Sequence, residues 1–275
     1  MKNCRIGLVL LSLLCLATPA YAQFQYPAPG ARNAAMGGSF IALDDFWSAA
    51  NSLAGAALLH EDHFQFGISH QQHHMLSHST QQIAAILPIK TGTLIGGLAT
   101  FGNHDYRESM FTAGYAMKLM PTLAMGISSH VLTTSVSDAY YDNPPARVTI
   151  SAALQYQTQN VIIGAKVFNP VFVQMGTETE SHIPVVMGIG ASYQIHESLL
   201  ATAEFEKNIY LPLTSKLGIE YTYRDCLSAR IGFSTNPGIY TFGLGYQGTS
   251  YNIDLAAQMH PYLGLTPQIS GNIRF

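Results

Sequence analysis

The chain has 275 residues, of which 11% are charged and 48% hydrophobic. Soluble domains usually carry roughly 25% charged residues, so an ordinary water-facing surface is disfavoured. The balance of 13 basic against 16 acidic residues offers no basic patch for nucleic acid, so no nucleic-acid partner is expected.

The chain opens like a secretory signal peptide. Lys2 and Arg5 precede the apolar stretch from Ile6 to Leu16, and Ala20-Tyr21-Ala22 forms an A-x-A cleavage site. The stretch falls short of the roughly 20 residues that a membrane-spanning helix needs, so cleavage is expected and the mature chain begins at Gln23. Cleavage at that site leaves 11 basic residues against 16 acidic ones, a formal charge of −5 with histidine neutral. Cys4 and Cys15 depart with the signal, and the remaining Cys226 excludes an internal disulfide framework.

Residues 23–60 do not alternate. Asp44 and Asp45 are placed to cap a helix over Phe46 to Leu59, with acidic groups at the positive end of its dipole. Such a segment can lie inside or beneath a barrel, as a plug or a rim.

From His63 onward, residues 61–275 read as short alternating segments divided by turns. Phe64, Phe66 and Ile68 share one face; so do Val148, Ile150, Ala152, Leu154 and Tyr156, and later Tyr251, Ile253, Leu255, Ala257 and Met259. Fourteen such segments can be counted. The last, Leu265 to Phe275, sets Leu265, Ile269, Ile273 and Phe275 against Thr266, Gln268, Ser270, Asn272 and Arg274. A strand apolar on one side and polar on the other, repeated without long apolar runs, fits a wall between lipid and a wet lumen.

The connections alternate in length. Met120-Pro121, Arg224-Asp225 and Gly248-Thr249 are tight, whereas the stretches near 135–145 and 170–182 are long. Short periplasmic turns and longer outer loops belong to outer-membrane barrels, so the fold expected is an all-β antiparallel transmembrane barrel of about 14 strands. Its first partner is the lipid of a Gram-negative outer membrane. The closing strand is expected to pair with the first near Phe64 to Ile68, and Phe275 resembles the aromatic end by which assembly machinery recognises such proteins.

Motifs that could carry chemistry have plainer readings. His60, His63, His70, His73, His74, His78 and His104 crowd one part of the chain, but no carboxylate or thiolate stands at ligand spacing, so a solvated polar loop is favoured over a metal site. Gly243, Gly245 and Gly248 match a dinucleotide fingerprint literally. That fingerprint needs a strand followed by a helix, and here alternation runs through it, so lumen-facing glycines and a turn are expected. Glu204, Glu206, Lys216, Glu220, Arg224, Arg230 and Asp254 fall on inward positions, where opposite charges on neighbouring strands can pair. No hydrolase elbow, phosphate loop or zinc-protease motif occurs, and no cofactor, metal or catalytic residue is assigned.

One resemblance stands out in the segment before the barrel. Gly30-Ala31-Arg32, Met36-Gly37-Gly38, Ala42-Leu43-Asp44-Asp45, Trp47-Ser48-Ala49 and Asn51 with Ala54-Gly55 resemble the opening signature of PorV/PorQ-type outer-membrane proteins, relatives of the FadL-type transporters. The usual Asn-Pro-Ala-Gly is replaced by Asn51-Ser52-Leu53-Ala54-Gly55. The resemblance implies a small helix near the periplasmic mouth and a non-enzymatic role in type IX-like protein secretion or surface attachment, with secretion-system proteins as partners. Kinship with FadL implies the alternative, a passive channel for hydrophobic small molecules.

Overall fold

A computed structural model of the chain describes residues 29–59, 63–73, 78–137, 143–173, 183–262 and 264–275. The expected signal peptide, residues 1–22, lies outside these residues.

Period-two patterning produces fourteen strands: β1 Gln65–Gln72, β2 Ser79–Ile89, β3 Gly92–Gly102, β4 Tyr106–Met120, β5 Leu123–Val136, β6 Arg147–Gln157 and β7 Val161–Phe168 form the first half. β8 Val186–His196, β9 Leu199–Asn208, β10 Thr214–Tyr223, β11 Leu227–Ser234, β12 Ile239–Gln247, β13 Tyr251–His260 and β14 Gly264–Arg274 complete it. Each strand pairs antiparallel with its sequence neighbour, and β14 returns to β1 to close the barrel. The closing register sets Phe66 opposite Ile273 and Ile68 opposite Gly271, as the alternation of the last strand predicts. Closure leaves no sheet edge unpaired in lipid, which is the condition a membrane-spanning sheet must meet.

The register shows irregularities at Lys118/Met120 and Gln194/His196, both beside tight turns. Those turns gather at one end of the barrel, and the long connections gather at the other. Phe111, Ile127, Ile150, Ile189, Ile219, Leu244 and Ile269 are among the large apolar side chains left exposed on the outer face. Tyr156, Tyr193, Tyr221, Tyr223, Tyr246 and Tyr251 are exposed near the turn end, where Phe64 and Phe275 also meet with ring centroids 5.6 Å apart. A band of amphipathic rings at that height is where a membrane barrel places its interfacial girdle.

Inside the barrel lie α1 (Gly30–Ala35), α2 (Phe46–Ser52) and a 3-10 turn (Ala54–Ala57). Asp45 caps α2 as expected, its side chain accepting from the amides of Trp47 and Ser48. The helix does not run on to Leu59. Leu53 takes φ 68° and ψ −54°, outside the helical region, which stops the helix and turns the chain into the 3-10 segment. α1 has no side-chain cap and no acidic residue in its first turn, so no local signal in the sequence marks it. Arg224 is also corrected: it sits in a turn at φ 51° and lies over the Tyr223 ring at 5.0 Å instead of facing the lumen.

An arginine at Leu244, on the lipid face of β12, is expected to lower unfolding free energy by about 2–4 kcal/mol in bilayers. Urea titration of the folded fraction in liposomes checks this; an unchanged midpoint would deny Leu244 its place in the apolar belt.

Candidate functional site: a lumen filled by the N-terminal segment

The lumen is built where the inward face of the wall meets the helices. Apolar plug residues face one sector: Phe46, Trp47, Leu53, Ala56 and Leu58 pack with Ile86, Ile95, Ala116 and Ala124 of β2 to β5. Trp47 is 2% exposed and crosses Phe46 edge to face at 5.1 Å. Burial of this cluster fixes the height of α2 in the barrel.

The opposite sector is ionic. Arg32 of α1 offers Nε and Nη2 to the two carboxylate oxygens of Glu220 at 2.9 and 2.6 Å, and Nη1 to Asp45 at 2.9 Å. Glu220 also accepts from Arg230 Nε, and Arg230 Nη1 reaches Asp254 at 2.6 Å. One chain of charges thus runs from the cap of α2, through α1, into strands β10, β11 and β13. A fork-to-fork arginine–carboxylate pair fixes orientation as well as distance.

A second cluster holds the link between the helices. Glu204, 1% exposed, accepts from the backbone amides of Phe40 and Ile41 at 2.8 and 2.9 Å and from Lys216 Nζ at 2.8 Å. Lys216 also reaches Glu206 at 2.8 Å. Two ammonium groups lie over the Phe40 ring, Lys166 at 5.3 Å and Lys216 at 5.4 Å. Lys166 donates to the Asn51 carbonyl at the end of α2.

Hydroxyls bind the remaining backbone. Ser270 accepts from the Ala31 amide at 2.8 Å; Thr241 accepts from the Gly37 amide at 3.0 Å and donates to the Ala35 carbonyl at 2.7 Å. These contacts are possible because the wall is thin there. A Cβ on Gly232 would lie 2.1 Å from the Gly37 nitrogen, and one on Gly218 would lie 2.8 Å from Met36. Gly243 and Gly245 do face the lumen, against Ala35 and against the Arg230–Asp254 pair, as the alternation through that motif predicts.

The inward positions therefore carry the expected charges except Arg224, joined to the plug in two clusters, of which the larger is the Glu220 network. The sequence did not show Arg32 and Asp45 as members of it, because their partners are more than 160 residues away or belong to another helix. A polar cavity of about 310 Å³ opens beneath this network at the turn end, lined by Arg32, Asp44, Gln194, Glu197, Glu220 and Asp225 among others.

Above the plug, toward the long loops, the wall changes character. His130, Ser128 and Ser151 are buried and hydrogen-bonded to one another, with Thr112 on the other imidazole nitrogen. Asn169, fully buried, accepts from Thr149 at 2.6 Å and donates to the Ile183 carbonyl at 2.8 Å, drawing the β7–β8 connection inward. Leu132, Ile183, Met110, Phe168 and Val173 pack beside it.

At the loop mouth, His73 and His78 lie against Phe101 at 5.4 and 6.1 Å, and His104 stands exposed beside Asp105. Burial, with His78 and His70 nearby, lowers the pKa of His73. His60 and His74 lie outside the described residues. Among the described residues no three His, Cys, Asp or Glu side chains are grouped to hold a metal ion.

Comparison with known proteins places the fold. No protein-family model matches the chain, and no curated protein matches it. Among solved structures, the Ralstonia pickettii toluene transporter TbuX superposes with a TM-score of 0.73 at 14% identity, covering 92% of this chain and 100% of that one. The Pseudomonas putida toluene transporter TodX gives 0.64 at 14% identity over 90% and 97%. A Pseudomonas aeruginosa FadL homologue gives 0.67 at 10% identity over 92% and 100%.

Two variants test the site. Glu220→Ala leaves Arg32 and Arg230 buried with fewer counter-charges, at a cost of about 3–5 kcal/mol, which corresponds to a drop in melting temperature of roughly 6–20 °C. Thermal unfolding followed by heat-modifiable gel mobility reads it, and a shift under 2 °C contradicts the role given to this carboxylate. Gly232→Val keeps every charge but forces side-chain atoms into the Gly37 backbone. It is expected to unseat the plug and raise ion conductance in planar bilayers above that of the parent barrel. A parent-like conductance would show that the plug does not press on β11. By fold, the chain is a closed fourteen-strand antiparallel β-barrel with helices inside it, similar to the barrels of these solved transporters.

Proposed function

We propose that the chain is a non-enzymatic outer-membrane channel that lets small hydrophobic molecules cross without chemical change. The observation that carries this reading is the fold likeness, which extends over nine-tenths of the chain and the whole of the toluene transporter. The lumen is compatible with it: above the plug, the half-buried Met110 and Phe168 give an apolar lining beside neutral hydroxyls. On this reading the tight turns and the polar cavity face the periplasm, and residues 1–22 are the export signal.

The secretion-component reading rests on the opening signature, and the structure uses that signature inside the barrel. Arg32 and Asp45 belong to the ionic chain, Trp47 is buried, and Asn51 donates to the Trp47 carbonyl at 2.9 Å. Most of the signature is thus engaged in holding the plug, and Asp44 stands exposed at the cavity. The channel reading, which the fold likeness supports, is therefore preferred.

Uptake tests it. Cells lacking endogenous hydrocarbon channels and expressing this barrel in their outer membrane are expected to take up radiolabelled toluene several-fold faster than cells with an empty vector. Equal rates, with the barrel present in the outer-membrane fraction, would remove the channel reading.

A further inference from the structure

Resting on the channel reading, we infer that Thr112 offers a hydrogen-bond donor to the solute, so that the lumen favours apolar molecules carrying one acceptor oxygen, such as an aryl ketone, ester or ether, over plain hydrocarbons.

The argument is a proton count around His130. Nε2 lies 2.8 Å from Ser128 Oγ and 2.8 Å from Ser151 Oγ; the two hydroxyls are 2.7 Å apart, and Nδ1 lies 2.9 Å from Thr112 Oγ1. Among the described residues no carboxylate touches the ring, so the imidazole is taken as neutral, with one N–H and one lone pair. Two tautomers are possible. If Nε2 carries the proton, it donates to one serine, the serines share one further proton, and the last serine hydroxyl proton has no acceptor in a buried triangle. If Nδ1 carries the proton, one serine donates to Nε2, the other donates to the first, and Nδ1 donates to Thr112. The second arrangement leaves no buried donor unmet, and an unmet buried donor costs roughly 1–3 kcal/mol.

In that arrangement Thr112 accepts from His130 and keeps its own proton unused. Thr112 is the half-buried member of the group, whereas Ser128, His130 and Ser151 are buried. Its cross-strand partner on the β3 side is Gly97, which has no side chain to cover the hydroxyl. A Cβ built on Gly97 meets the Ile83 carbonyl at 3.4 Å and Thr112 Cβ at 3.8 Å, ordinary contacts, so the gap is room that the fold does not need closed. Met110, two residues from Thr112, and Phe168, opposite Ser151, supply the apolar surface for the rest of the solute.

Acetophenone and ethylbenzene differ chiefly by one carbonyl oxygen and serve as the probe pair. In cells expressing the barrel, Thr112→Val is expected to slow acetophenone uptake roughly fivefold, the worth of one net hydrogen bond, while ethylbenzene uptake stays within error. Thr112→Ser restores the acetophenone rate, and Gly97→Ala slows it by covering the hydroxyl. Equal loss for both probes, or no loss for either, overturns the donor role while leaving the channel reading intact. If neither probe enters the parent cells faster than empty-vector cells, the channel reading itself fails and this inference with it.

Discussion

Glu220 is held between two arginines of different origin, one from the helix inside the barrel and one from the wall. That sharing ties the N-terminal segment to the wall. A carboxylate inside a barrel must be compensated, because removal from water costs several kcal/mol per ion. Arg230 and Asp254 alone could complete a wall network, but Arg32 extends it to α1, and Asp45 extends it to the cap of α2. The plug is thereby fixed in rotation as well as in depth. Apolar packing of Phe46, Trp47 and Leu53 on β2 to β5 is non-directional and sets depth only.

The wall was largely legible in the sequence, and the interior was not. Alternation in segments such as Leu217 to Tyr223 and Leu265 to Phe275 reports a difference between lipid and lumen that every residue of a strand feels, so face, strand number and closing pair could be read locally. Even the charged inward positions Glu204, Lys216, Glu220, Arg230 and Asp254 followed from parity. Arg224 failed that parity because it lies past the strand end, where left-handed turn geometry replaces alternation.

The plug obeys no such period. Its bonds join Ala31 to Ser270 and Phe40 to Glu204, separations of 239 and 164 residues, which no local pattern encodes. The helix expected over Phe46 to Leu59 was half right for the same reason. Asp45 is a local signal and was read, but the break at Leu53 is set by the wall: its side chain and backbone press on Gly126 and Gly114 of β4 and β5. Small residues such as Gly232 and Gly218 look like weak strand formers until the backbone of Met36 and Gly37 is placed against them. Most of the opening signature packs inside the barrel in this structure, with Arg32, Asp45 and Trp47 engaged there.

The central claim is that plug and wall form one body. Hydrogen exchange on the purified barrel in detergent measures this most directly, because the amides of Ala31, Gly37, Phe40 and Ile41 donate to Ser270, Thr241 and Glu204 of the wall. Peptides covering residues 31–41 are expected to exchange as slowly as those of β10 and β11, over hours. Complete exchange of the plug peptides within seconds, with the strands still protected, would contradict the account.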